Sequence, residues 1–283
     1  MKKIFLIFLL FLSQMFAQET GFELMPMGLH FLPLKANMQE SRLGILYFPD
    51  NANLKVDIGN NVDIIGLSFN DAKISFGIEF MAYALSTNYQ GRRLQIDALD
   101  GFFGGNGTVS FLLNNDKLFF RFRIIHNSAH FVDGHFDFTK NIWKKNIEPI
   151  PFTQDFGEIT SAYVHEKTNY GLKAFTSIGY SSLVRPSLIQ KWWSTLGYEL
   201  NYKIHDSEKS NSEINVFLSS HIKLIGMPKY KLNYNNMIGV KFGSWDGKGV
   251  VFYLDYYIGN NYFSEYYYNR IKKFGIGFFV DFI

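Results

Sequence analysis

Gly249 to Ile258 reads GVVFYLDYYI, so that a strand there carries Val251, Tyr253, Asp255 and Tyr257 on one face and Val250, Phe252, Leu254, Tyr256 and Ile258 on the other. Alternation with a period of two is the signature of a half-buried strand, and it recurs along the chain. Candidate strands fall near 41–49, 53–59, 62–70, 73–84, 105–114, 117–130, 154–166, 169–180, 193–205, 212–224, 232–243, 248–258 and 272–283. Turn signals separate them: PDNAN at 49–53, GNN at 59–61, ND at 70–71, NND at 114–116, EKTN at 166–169, DGKG at 246–249 and GNN at 259–261. Longer links at 85–104, 131–153, 181–192 and 259–271 suit the loops of one end, and the short turns suit the other. Bacterial barrels close with an even number of strands, so this series of candidates predicts about twelve.

Two further observations place such a barrel in a membrane. Lys2 and Lys3, the apolar run Ile4 to Leu12 and the small Ala17 read as a secretory signal peptide over residues 1–17. That apolar run is shorter than the roughly 20 residues a helix needs to cross a bilayer. The chain has no cysteine, so neither a lipid-anchored cysteine nor a disulfide framework is expected. Aromatic residues make up 18% of the chain, yet mean hydropathy is only −0.05, the balance of a wall apolar on one face and polar on the other. A formal charge of +3 without a basic run argues against nucleic acid as a partner. The expected fold is all-β: a transmembrane antiparallel up-and-down β-barrel over residues 18–283, monomeric, in the bacterial outer membrane. A secreted β-sandwich is the alternative. The ending FGIGFFVDFI, with Gly277, Val280 and Phe282, resembles the signal that outer-membrane barrels present to the barrel-assembly machinery, here followed by Ile283.

The segment Leu118 to His130, LFFRFRIIHNSAH, carries the chemistry. One face runs Leu118, Phe120, Phe122 and Ile124, then turns polar at His126, Ser128 and His130. Residues two apart share a strand face, which can bring an imidazole and a hydroxyl within hydrogen-bond reach; a third group then orients the imidazole for nucleophilic catalysis. In the following segment FTQDFGEITSAYV, the face Phe156, Glu158, Thr160, Ala162 and Val164 is mostly apolar, which nominates Glu158 as orienter. Asp155, on the other face of a regular strand, is second. His130 is a candidate substrate-binding residue. Structural readings compete: the three side chains could lie at a barrel rim, where polarity costs little, or a bulge near Ile125 could turn them inward.

A metal site is the other chemical reading. His126, His130, Asp133, His135 and Asp137 crowd within a short stretch, and His with carboxylate can hold zinc or another divalent ion. His126 and His130 would stand about 13 Å apart in an extended strand, too far to share one ion without a bend. Asp133, His135 and Asp137 are the weaker set, suited to calcium assisting a hydrolase. Arg121 and Arg123, with Glu79, Asp97 and Asp100, are expected to form an ionic network in the lumen, and Trp192, Trp193, Tyr256, Tyr257 and Tyr266 to Tyr268 to form aromatic girdles. GFFGGNG at 101–107 lacks the Lys-Ser/Thr of a phosphate loop.

Several segments together resemble the domain of unknown function 1207 family (DUF1207) of bacterial envelope proteins. They are FLPLKANMQESRLGILY (31–47), RFRIIHNSAHFVD (121–133), FTQDFGEITSAY (152–163), YGLKAFTSIGY (170–180) with Pro186 beyond it, and YYIGNNYFSEYYYNRIKKFGIGFFVDF (256–282). The chain departs from that pattern at Gly134, where members often carry Glu, and at Thr153 and Asp155, where they often carry Ser and Glu. The resemblance implies an envelope protein and no particular activity. The His-x-Ser of His126 and Ser128 is also similar to the motif of two outer-membrane lipid hydrolase families, the phospholipase A and lipid A 3-O-deacylase enzymes. That likeness implies Ser128 as nucleophile, His126 as base and outer-membrane lipid as substrate. A non-enzymatic barrel, a narrow channel or a structural envelope component, is the rival expectation.

Overall fold

The computed structural model describes residues 21–89, 93–130, 136–137, 139–143, 150–207 and 212–282; the expected signal peptide at 1–17 lies outside them. Its strands are β1 (Gly21–Leu24), β2 (Leu43–Phe48), β3 (Asn53–Ser68), β4 (Ala72–Tyr89), β5 (Arg93–Leu113), β6 (Asp116–His130), the small pair β7 (Phe136–Asp137) and β8 (Ile142–Trp143), β9 (Thr153–Glu166), β10 (Tyr170–Arg185), β11 (Trp192–Ser207), β12 (Ser212–Gly226), β13 (Tyr230–Gly243), β14 (Gly249–Asn260) and β15 (Arg270–Asp281). Each wall strand pairs antiparallel with its neighbour in sequence, and β15 pairs with β2 to close the ring. The wall is a closed antiparallel barrel of twelve strands, β2 to β6 and β9 to β15.

The alternation works as an inside-outside code. On β4, Ile74, Phe76, Ile78, Phe80, Ala82 and Ala84 point outward, while Ser75, Glu79, Met81 and Tyr83 are buried in the lumen. The outward row on β15 is Phe274, Ile276, Phe278, Val280 and Phe282. An apolar exterior around a polar interior is the arrangement of an outer-membrane-type barrel. The segment GNN at 59–61 is not a turn: β3 runs straight through it, which merges two candidate strands into one. The expected loop at 85–104 is likewise mostly wall, because β4 and β5 extend to Tyr89 and from Arg93. Four of the seven expected girdle residues point inward. Trp192 is 53% exposed and Tyr256 and Tyr268 face out, but Trp193 and Tyr257 are buried because adjacent strand residues cannot share a face, and Tyr266 and Tyr267 because the β14–β15 connection folds inward.

The lumen is filled from two directions. After β1 the chain leaves the wall and residues 31–42 cross the interior before β2 begins, with Phe31, Leu34, Lys35, Asn37, Met38, Glu40 and Arg42 all buried. From the other end, the β14–β15 connection folds inward, burying Phe263, Ser264, Glu265, Tyr266 and Tyr267. Glu40 anchors the crossing segment: its two oxygens accept from Arg121 Nη1 and Nη2 at 3.0 and 2.5 Å. Arg123 donates to both oxygens of Glu79 and also lies 3.6 Å from Glu158. The expected lumen network therefore exists around Arg121, Arg123 and Glu79. Asp97 and Asp100 bond elsewhere, to Thr87 and Gln95 and to the Ser264 backbone N–H respectively.

Removing one partner of a buried ion pair strands the other charge, at a cost of roughly 3–5 kcal/mol. Glu40→Ala is accordingly expected to lower barrel stability by about that amount, read as a shifted urea midpoint in micelles. Replacing residues 31–41 with a flexible linker is expected to raise single-channel conductance in planar bilayers well above that of the intact chain. Equal conductance would show that the segment does not obstruct the lumen.

Candidate functional site

β6 presents the polar end of its outer face where the apolar run stops. Phe120, Phe122 and Ile124 are outward and exposed, Arg121, Arg123, Ile125 and Asn127 point into the lumen, and His126, Ser128 and His130 continue the outward row. No bulge interrupts the register of β6 with β5 or β9, so the inward-turning alternative does not hold. From Asp116 to His126 is ten residues, about 33 Å along a strand. At the usual strand tilt that is about 25 Å along the membrane normal, the height of an outer-membrane apolar band. A band of that height beginning at Asp116 would end at His126. Asp116 accepts from Tyr163 Oη at 2.5 Å and His165 Nδ1 at 2.6 Å. Tyr180 and Trp192, tilted against each other with ring centroids 4.7 Å apart on the outer face, neighbour this end of β6 through the register: Tyr180 pairs with Gly157, and Gly157 with Ile124.

The carboxylate that meets His126 is Asp155. It is the register partner of His126 on β9, and its Oδ1 accepts from His126 Nδ1 at 2.5 Å. A proton held on Nδ1 leaves Nε2 as the basic nitrogen of the ring. The Phe103 ring lies 4.9 Å from the imidazole and supports it from β5, and Ser182 Oγ donates to the Asp155 carbonyl at 3.3 Å. Both members are partly exposed, His126 at 34% and Asp155 at 43%, so the pair is reachable from outside the wall.

Glu158, expected as first choice, does not meet His126. It lies on the lumen face, 6% exposed, where it accepts from Trp193 Nε1 at 3.2 Å and pairs with Arg123. The apolar row Phe156, Ala162 and Val164 suggested a lipid-facing surface, but the crossing segment brings its own apolar side chains into the lumen. Phe31 and Leu34 pack with Ala162, and Phe156 packs on Trp193. The outward row of β9 is Asp155, Gly157, Ile159, Ser161 and Tyr163.

Ser128 stands between two imidazoles on the same face. Its hydroxyl is hydrogen-bonded to His130 Nε2 at 3.0 Å, while His126 is roughly 7 Å away Cα to Cα on the other side. Rotation between staggered χ1 wells re-aims such a hydroxyl along the strand. The metal reading gains nothing here. Asp133 and His135 lie outside the described residues, and Asp137 Oδ1 accepts from the backbone N–H groups of Thr139 and Lys140, capping a turn. Two cations were not foreseen: Arg185, registered with Thr153 beside Ser128, and Lys191, whose Nζ lies over the Tyr180 ring. Nothing in the alternation marks a cation at a loop mouth as belonging to a site on another strand.

No family model matches the chain, and no curated protein matches it. Among solved structures, the chain is similar to the beta domain of the Bordetella autotransporter BrkA, at 12% identity and a TM-score of 0.44, covering 84% of this chain and 96% of that one. It is also similar to the Pseudomonas putida toluene transporter TodX, at 11% identity and a TM-score of 0.43, covering 92% and 76%. A bacterial polysaccharide outer membrane secretin aligns at 9% identity and a TM-score of 0.34, covering 85% and 98%. Likenesses this distant carry no argument about what the chain does; the barrel rests on its own strand register.

Because Ser128 and Asp155 both face outward and are partly exposed, Ser128→Ala and Asp155→Asn are expected to shift stability by about 1 kcal/mol or less. Glu158→Gln, which removes a lumen charge beside Arg123, is expected to cost about 2 kcal/mol or more. Urea unfolding of the three variants side by side checks the order.

Proposed function

We propose that the protein is an outer-membrane lipid-ester hydrolase, with Ser128 as nucleophile, His126 as general base and Asp155 as its positioning carboxylate. The observation that carries this reading is the 2.5 Å bond from His126 Nδ1 to Asp155 Oδ1 on the outer wall, beside a serine, where the apolar outward row of β6 ends. A carboxylate-held imidazole is what an activated serine requires. A lipid acyl ester sits at the edge of the apolar band, between hydrocarbon and headgroup. Ser128 Oγ attacks the ester carbonyl while His126 Nε2 takes the hydroxyl proton. The lipid alcohol departs with that proton, leaving an acyl-serine. Water then attacks the acyl-serine with His126 again as base, releasing a fatty acid and restoring Ser128.

The substrate class follows from the surroundings. The exposed row Phe120, Phe122 and Ile124 lies below the site along the direction an acyl chain would take. Arg185 stands two strands across from Ser128 through Thr153, about 10 Å away. A guanidinium there suits the phosphate of a phospholipid or of lipid A. The envelope resemblance in the sequence and the apolar exterior fit an outer-membrane location and lipids as partners. Of the rival non-enzymatic readings, a narrow channel is disfavoured by the filled lumen, and a structural envelope component is distinguished by the absence of fatty-acid release.

Refolded protein in mixed micelles with acyl-labelled phospholipid or lipid A is expected to release fatty acid. Ser128→Ala is expected to reduce release at least ~10³-fold and Asp155→Asn ~10²–10⁴-fold, while folded Glu158→Gln stays within about threefold. A fluorophosphonate probe is expected to label Ser128 in the parent and not in His126→Ala. Release that persists in Ser128→Ala, or no release with either lipid, would overturn the assignment.

A further inference from the structure

The wall has an interruption, and its place in the membrane gives it a use. β1 and β2 both pair with the same edge of β3, β1 over Ile65 to Ser68 and β2 over Asn53 to Asp57. Between them, residues 58–64 of β3 have no strand partner on that edge, because the chain leaves β3 after Leu24, passes into the lumen by Phe31 and returns to the wall at Leu43. Two local bonds cover part of the edge: Met25 N–H donates to the Ile64 carbonyl, and Asn61 N–H donates to the Asn60 side chain. Asn60 is exposed on the outer face and registers with Phe80, in the middle of the outward row Ile74 to Ala84 of β4. A gap with a polar side chain thus sits beside the apolar outward row of β4.

A cleft enters through this gap. Its outer lining is Leu43, Asn60, Val280 and Phe282, and its inner lining includes Leu32, Leu34, Lys35, Arg42 and Phe279. Its enclosed back is small, about 40 Å³, so only a ligand's headgroup fits inside and any longer tail lies in the apolar mouth and along the outer wall. Two cations line it against one carboxylate, Asp281. Lys241 Nζ holds Asp281 at 2.6 Å, leaving Lys35 at 3.8 Å. Arg42 is 8% exposed and donates to the Lys35 and Asn37 carbonyls; among the described residues it forms no ion pair.

We propose that this lateral cleft binds a single-chain anionic amphiphile, a long-chain fatty acid, with its tail in the apolar mouth and its carboxylate at Arg42 and Lys35. An apolar entrance open to lipid with an excess of positive charge at its back selects for that chemistry. A neutral alcohol of the same length offers nothing to the guanidinium, and a two-chain phospholipid exceeds the width of one missing strand. The site is four strands away from β6 around the ring, and the proposal does not depend on the hydrolase reading.

Radiolabelled palmitate and hexadecanol, titrated onto the mature barrel in phosphocholine nanodiscs, test it. Expected is saturable palmitate binding near one per chain, at least tenfold weaker binding of hexadecanol, and at least tenfold weaker palmitate binding by Arg42→Gln. Leu32→Trp fills the cleft without touching the ion network and is expected to abolish binding while the barrel keeps its heat-modifiable migration; this variant decides the matter if Arg42→Gln fails to fold. Equal affinity for palmitate and hexadecanol, no saturable binding, or unchanged binding by Leu32→Trp would overturn the proposal. Palmitate carries no ester, so these results are unaffected by activity at Ser128.

Discussion

In hydrocarbon a backbone N–H or C=O has no water to turn to, and each unpaired group costs several kilocalories per mole. The closed outer-membrane-type wall of this protein meets that constraint, and the rest of the structure depends on its closure. Twelve strands close on themselves through β15 and β2, and between the β1 and β2 pairings residues 58–64 of β3 lack a strand partner on one edge. Closure dictates which face of every strand is lumen. That division places Arg121, Arg123, Glu79 and Glu158 inside and leaves His126 and Asp155 outside.

The exception to closure is informative because it coincides with the filled lumen. A barrel of this size has room for side chains and little more, and here the chain contributes residues 31–42 as well. Glu40 neutralises Arg121 from the middle of that segment, and Asn235 Nδ2 donates to the Ala36 carbonyl across the interior. Withdrawing a wall segment into the lumen satisfies buried charges there, and the consequence is an open edge on β3 between Asp57 and Ile65. Interior electrostatics and the lateral cleft are two results of one chain reversal.

Much of the fold was legible in the sequence. Period-two alternation located the wall strands, and removing one spurious turn at 59–61 leaves the twelve that the structure contains. GNN is a turn signal because glycine and asparagine tolerate tight backbone geometry. In β3 the same residues stand beside the gap, where Gly59 lies so close to the β4 backbone that a Cβ would come within 2.6 Å of the Phe80 carbonyl oxygen. Local composition does not distinguish a turn from a strand that has lost one neighbour. The crossing segment 31–42 was missed for a related reason: its mixture of Leu, Lys, Asn and Glu reads as ordinary loop.

At the site, the sequence by itself determined that His126, Ser128 and His130 share one face of one strand, since that follows from alternation alone. It also nominated two carboxylates of the next strand, Glu158 and Asp155, as partners for His126. Which of them meets the imidazole was decided only by the tertiary structure. Asp155 and Glu158 lie on opposite faces of β9, and the usual cue, that the apolar face meets lipid, fails because Phe31 and Leu34 of the crossing segment make the lumen beside β9 apolar as well. Facing depends on what the rest of the chain places inside the barrel, and no window of sequence around β9 contains that information.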